Sequence, residues 1–174
     1  MGLTGGPGAA YGVHVLRTLR ALDADAHLVM CSCAVRAVRE QTGLEPDAVR
    51  DLAGHTYDEW NQAARISSGS YLTVGMVVAP CSTRSLASIT YGYANNLIHR
   101  AADVTLKEGR PLAVLVADPL LGPVDLDNVD RLGSVPGVTV IRMPPAPDAA
   151  TLDGAISALL DVVGLPANAR ALPP

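Results

Sequence analysis

Short continuous apolar runs alternate along this chain with longer stretches whose apolar residues recur every three or four positions. Ala26–Cys31 (AHLVMC), Gly75–Pro80 (GMVVAP), Pro111–Ala117 (PLAVLVA) and Val138–Arg142 (VTVIR) are of the first kind and predict buried strands. The opening MGLTGGPG adds a strand of about three residues, short against the usual five or six, before a glycine-rich turn. So short a start fits either a truncated strand or a natural start upstream of Met1. The second pattern predicts helices over Ala9–Leu22, with Val13, Leu16, Leu19 and Leu22 on one face, and over Ala34–Gln41. Further helices are expected over Glu45–Ala53 with Pro46 near its start, from Ser82 to Ile89, over Asn95–Lys107, and over Leu152–Val163, ended by Gly164. About five strands with helices between them predict an α/β fold: a three-layer α/β/α arrangement around a parallel, flavodoxin-like (Rossmann-like) sheet. One domain is expected over 1–168, with a tail over 169–174.

Composition narrows the function. The chain has 174 residues, enough for one full-sized core, and 49% of them are hydrophobic although Phe is absent. The net charge of −4, with no basic run, argues against a nucleic-acid partner. No apolar stretch approaches the ~20 residues of a membrane span, and no signal peptide is apparent. Cys31, Cys33 and Cys81 form an odd set, which points to reduced thiols in the cytoplasm. The histidines His14, His27, His55 and His99 show no metal spacing, so no metal site is expected.

In a doubly wound sheet, ligands bind beyond the carboxyl ends of the strands, so the chemistry is sought there. Gly5, Gly6, Pro7 and Gly8 follow the first strand and lead into a helix, where backbone can approach a ligand closely; a plain tight turn explains them equally well. Pro80-Cys81-Ser82-Thr83-Arg84-Ser85 is the sharper signal. It ends a buried strand and sets Ser82, Thr83, Ser85 and the Arg84 guanidinium at a helix start, where capping alone needs one hydroxyl. Such a cluster suits a phosphate or a ring carbonyl. Ser67–Ser70 is a polar loop before the same strand. Arg100 and Lys107 fall on one helical face and either grip a phosphate or pair with Asp103 and Glu108 as surface charges.

Taken in order, these segments resemble the UbiX/Pad-type flavin prenyltransferase family. GLTGGPGAAYG parallels the family opening T-G-A-S-G-x-x-Y-G, and the block from Ser67 to Leu112, containing APCSTRSL and NNLIHRAADVTLKE, matches almost throughout. The resemblance implies bound FMN, or prenylated FMN, contacted by Gly5, Gly6, Pro7, Ser82, Thr83, Arg84, Ser85 and Arg100. A phosphate-binding serine aligns with Cys31, or with Ser32 after a one-residue shift, and Ser32 is chemically the better fit. The resemblance also implies a small-molecule substrate, a homo-oligomer, trimeric or dodecameric, and a partner decarboxylase.

Several family positions are altered. The serine of G-A-S-G is Pro7, and the glutamate of E-T-G is Gln41, or Glu40 with a gap. R-E-T-P becomes Ala117-Asp118-Pro119-Leu120, P-A-F-Y becomes Pro145-Ala146-Pro147-Asp148, and the arginine of the last helix is Ala158. Lys107 survives from the phosphate cage. Each lost charge-assisted contact weakens a dianion site by roughly 1.5–3 kcal/mol. The expectation is therefore a divergent FMN enzyme for a specialised decarboxylation or redox reaction, with Arg84, Lys107 and Asp118 as candidate catalytic residues. A flavin prenyltransferase with a rebuilt phosphate site, using Arg84, Arg142 or a neighbouring subunit, and a non-catalytic flavin carrier are the alternatives.

Overall fold

The computed structural model describes residues 1–165; the end of the expected domain and the expected tail lie outside the described residues. Six strands form one parallel sheet: β1 (Gly2–Leu3), β2 (His27–Met30), β3 (His55–Tyr57), β4 (Met76–Val78), β5 (Leu112–Val116) and β6 (Val138–Arg142). Their order is β3-β2-β1-β4-β5-β6. The six together have the 3-2-1-4-5-6 order of a doubly wound sheet, and without the edge strand β3 the other five follow the flavodoxin order. Helices α1 (Ala9–Ala21), α2 (Ser32–Thr42), α3 (Pro46–Arg50), α4 (Thr83–Thr90), α5 (Leu97–Lys107), α6 (Pro123–Gly133) and α7 (Ala149–Val162) fill the connections.

Residue alternation along the strands sorts two cores. Val77, Ala79, Ala113 and Leu115 face Tyr11, Val15, Ile156 and Leu159 of α1 and α7. Met76, Val78, Leu112 and Val114 face the opposite way, toward Leu97, Ile98, Ala101 and Leu86. Burying one such Leu or Ile stabilises the fold by about 1.5–3 kcal/mol. Among the described residues, no helix is long and apolar enough to cross a membrane.

The first strand is as short as its sequence suggests, but its neighbours hold it on both sides. Val29 N donates to Met1 O at 2.9 Å and Cys31 N to Leu3 O at 3.1 Å, while Ala79 N donates to Gly2 O at 3.0 Å and Thr4 N to Pro80 O at 3.2 Å. Two elements have no counterpart in the sequence reading. Strand β3 carries exposed His55 and Thr56, so the sheet pairs it through backbone without an apolar run. Helix α6 opens at Gly122-Pro123, where the Asp125 carboxylate accepts from Gly122 N at 3.0 Å; it buries Asn128, Val129 and Leu132 but leaves Val124 exposed, which blurs its periodicity.

Candidate functional site at the carboxyl edge of the sheet

Between β1 and β4 the winding reverses, because the chain leaves β1 toward β2 on one side and resumes at β4 on the other. This switch point is where an α/β sheet opens a crevice. Thr4, itself buried, bridges it: its hydroxyl donates to Pro80 O at 3.0 Å and accepts from Ser82 N at 2.7 Å. The turn after β1 and the start of α4 are thereby held together. A Cβ built on Gly6, whose φ is +130°, would lie 3.7 Å from Ser82, so the glycine loop faces the Ser82 cluster directly.

Gln41, exposed at the end of α2, shapes that loop. Its Oε1 accepts from Gly8 N and Ala9 N, each at 3.0 Å, and its Nε2 donates to Gly6 O at 2.8 Å. Only an amide can serve all three, since a carboxylate has no proton to give Gly6. Glu40, the other candidate for the aligned acid, instead faces Arg36 at 3.6 Å on the surface. Of the two positions, Gln41 is the one that touches the glycine loop, where it holds backbone in place.

Ser82 caps α4 by accepting from Ser85 N at 3.3 Å, and its hydroxyl lies 3.3 Å from Ser85 Oγ. The amides of Thr83 and Arg84 have no acceptor among the described residues and open α4 toward the crevice. On the other flank, Ser32 begins α2, and its N–H donates to Glu59 Oε1 at 2.7 Å. Glu59 is only 8% exposed, and Asn96 Nδ2 reaches its other oxygen at 3.4 Å. Cys33 is exposed beside the glycine loop, and a Cβ on Gly5 would collide with it at 2.4 Å. Cys31 and Cys81 are buried, and burial pushes both thiols above their ordinary range.

The segments that carry Gly5, Gly6, Pro7, Ser32, Ser82, Thr83, Arg84 and Ser85 therefore meet at one part of the carboxyl edge, beside the switch point. Asp118 stands on the same edge, one position beyond: Ala117 packs against Gly8, and Asp118 lines a cavity of about 330 Å³ with Arg142, Met143 and Pro144. Its Oδ1 accepts from Leu120 N at 2.9 Å.

Arg100 and Lys107 do not join this group within one chain. Arg100 Nε donates to Ser67 O at 3.1 Å, and Nη1 pairs with Asp103 at 2.9 Å. Lys107 Nζ pairs with the same carboxylate at 2.8 Å. Lys107 also closes α5 just before β5 begins, so it sits at the amino edge of the sheet, across the protein from Ser82. The surface pairing with Asp103 is the arrangement the fold adopts.

Thr4, Glu59 and His99 border the crevice but do not stand out in the sequence. Thr4 is implicit in the T-G opening, whereas Glu59 lies in a polar stretch with no pattern.

The amino edge holds a different cluster. A cavity of about 370 Å³ opens there, lined mainly by apolar side chains such as Val74, Met76 and Val104, with His27, Tyr71 and Arg110. Histidines without metal spacing in the sequence meet there, where ligand atoms of Asp25, His27 and His55 lie within 4.8 Å of one another. Both His27 nitrogens are engaged already, Nδ1 with the Tyr57 hydroxyl at 2.8 Å and Nε2 with that of Tyr71 at 2.9 Å. Among the described residues, the Tyr57 and Tyr71 hydroxyls at this edge are taken up by His27, whereas the Thr83 and Arg84 amides beside Ser82 are free, which favours the Ser82 side as the ligand site.

Comparison with known proteins identifies the family. The Flavoprotein family model matches residues 1–165. A probable UbiX-like flavin prenyltransferase of Bacillus subtilis is 44% identical over 147 residues, 84% of this chain and 71% of that protein. The structure of AnUbiX in complex with FMN and dimethylallyl pyrophosphate superimposes with a TM-score of 0.88 at 32% identity, covering 99% of this chain and 95% of the other. A dodecameric FMN-dependent UbiX-like decarboxylase from Escherichia coli O157:H7 gives a TM-score of 0.85 at 35% identity, with 100% of each chain covered.

Proposed function

The chain belongs to the Flavoprotein family, among its UbiX-like members, and from that premise we propose that it is an enzyme that binds FMN at the β1–β4 crevice and prenylates it. The observation that carries this reading is the meeting of the Gly5–Pro7 turn, the free Thr83 and Arg84 amides and the Ser82–Ser85 hydroxyls across the Thr4 bridge. Amides suit ring carbonyls and phosphate oxygens, and Gly6, at a φ of +130°, has a backbone shape that side-chain-bearing residues rarely adopt. Those residues bind and orient FMN, while FMN itself supplies the ring atoms that are alkylated.

The co-substrate is dimethylallyl phosphate. Arg84 and Arg142 are exposed cations at this edge, and neither forms an ion pair among the described residues. They are the cations free to meet a phosphate there. Lys107 acts only from a neighbouring subunit, because its own crevice is out of reach. A homo-oligomer follows, in keeping with the dodecameric relative. The non-catalytic carrier gives way to an enzyme.

A second reading rests on Gln41 and Pro7. With a neutral amide and a pyrrolidine ring where the family pattern has an acid and a hydroxyl, two proton-handling groups are missing. The protein then holds FMN for a decarboxylation or redox reaction of its own. Anaerobic incubation with reduced FMN and dimethylallyl phosphate, followed by mass spectrometry of the released flavin, separates the two. A flavin heavier by one prenyl group establishes the first reading. Unchanged flavin on a protein that binds FMN tightly rejects it and leaves the second.

A further inference from the structure

Helix α5 opens with Asn96 as its cap, the Asn96 side chain accepting from His99 N at 3.0 Å. That turn buries His99 to 4% exposure behind the Ser82 cluster. His99 Nδ1 lies 2.6 Å from Asn95 Oδ1, and Nε2 lies 3.0 Å from Ser85 Oγ. Ser85 Oγ in turn lies 3.3 Å from Ser82 Oγ. A continuous run of hydrogen bonds therefore leads from Asn95 on the surface, through a buried imidazole, to the hydroxyl at the mouth of the crevice.

The chemistry of each group fixes the direction of that run. Asn95 Oδ1 can only accept, so the proton of a neutral ring sits on Nδ1. Nε2 is then an acceptor, and Ser85 must donate to it. Ser85 Oγ accepts from the Ser82 hydroxyl, which leaves Ser82 with lone pairs but no free proton for a ligand. A protonated ring reverses this. Nε2–H donates to Ser85, the Ser85 hydroxyl turns toward Ser82, and the Ser82 proton becomes available to the crevice.

We propose that His99 is a positioning residue that, through Ser85, sets whether Ser82 offers an acceptor or a donor to bound flavin. This rests on the reading that FMN occupies the crevice. With His99 neutral, Ser82 suits an N–H of the ring system; with His99 protonated, it suits a carbonyl or anionic oxygen. The charged groups facing His99 are Glu59, on the segment between β3 and β4, which favours its protonation, and Arg84 on α4, which opposes it. Burial outweighs both and holds the ring below the ordinary histidine range, so the neutral state governs at pH 7.

The test is the FMN dissociation constant of the full chain between about pH 5 and 8, beside His99→Gln and Ser85→Ala. The wild type should show a single inflection below about pH 6.5, with affinity changing several-fold to about tenfold across it. His99→Gln, which keeps hydrogen-bonding capacity without titrating, should lose the inflection, and Ser85→Ala should lose it while His99 still titrates. A flat wild-type profile, or the same inflection in His99→Gln, overturns the proposal. Nitrogen-15 NMR of the flavin-free protein provides a second arm. Neutral His99 should carry its proton on Nδ1, and a proton on Nε2 would refute the relay whatever flavin does. If FMN binds at no pH, the flavin reading fails, and the NMR result alone decides the relay.

Discussion

The crevice between β1 and β4 and the neighbouring hollow between β5 and β6 share one edge of the sheet but are built in different ways. The first is stitched: Thr4 joins two strands, Gln41 ties three backbone groups of the glycine loop, and Ser82, Ser85 and His99 form one hydrogen-bonded run. The second has exposed Arg142 and half-buried Asp118 over a run of prolines, with Asp118 bound only to its own loop. The departures expected from the family resemblance fall in both regions, Pro7 and Gln41 in the first and Ala117–Leu120 and Pro145–Asp148 in the second. Under the proposed function, the first region would present FMN with backbone that many hydrogen bonds hold in place, and the second would meet the co-substrate with individual side chains.

Thr4→Val should give the largest effect. It removes both contacts of a buried hydroxyl and leaves Ser82 N without a partner, costing about 2–4 kcal/mol of stability by urea unfolding. A loss under about 0.5 kcal/mol would mean that the two strands do not depend on this bridge. Gln41→Glu should weaken FMN binding about tenfold, roughly 1.4 kcal/mol, because the new carboxylate faces Gly6 O instead of donating to it. Fluorescence quenching of added FMN measures this. Arg142→Ala should leave FMN affinity within about twofold, yet raise the KM for dimethylallyl phosphate about tenfold. Equal losses in both quantities would show that the two regions are one site.

The smallest expected effect lies on the opposite edge. Burial, followed by the nearby His55 charge, lowers the proton affinity of His27 in the folded protein. The unfolded chain then binds the extra proton more readily, so this contribution is complete above the ordinary histidine pKa of about 6.5 and declines as pH falls below it. A melting-temperature series from about pH 7.5 to 5 should show the decline, and His27→Gln should shallow it without altering FMN affinity at pH 7.5.

Much of this architecture is legible in residue order. GMVVAP and PLAVLVA bury both faces and announce parallel strands, and Ser82–Ser85 at the end of one of them marks the crevice. Strand β3 escapes because backbone pairing at a sheet edge needs no apolar side chains. Arg100 and Lys107 share a helical face as their spacing indicates, but spacing cannot show that Asp103 binds both or that Lys107 ends at the far edge. His99 is hidden for a related reason. Asn95 is only four residues away, but Ser85 lies on another helix, and only the packing of α5 against α4 brings it to the ring.

The three thiols differ in one useful respect. Cys31 and Cys81 are enclosed, whereas Cys33 is open to solvent against the glycine turn. A maleimide dye added to the native sequence would therefore attach beside the crevice without any engineered residue. Its emission would report arrival and departure of the cofactor in real time, and the labelling rate alone would measure how well an occupant shields that doorway.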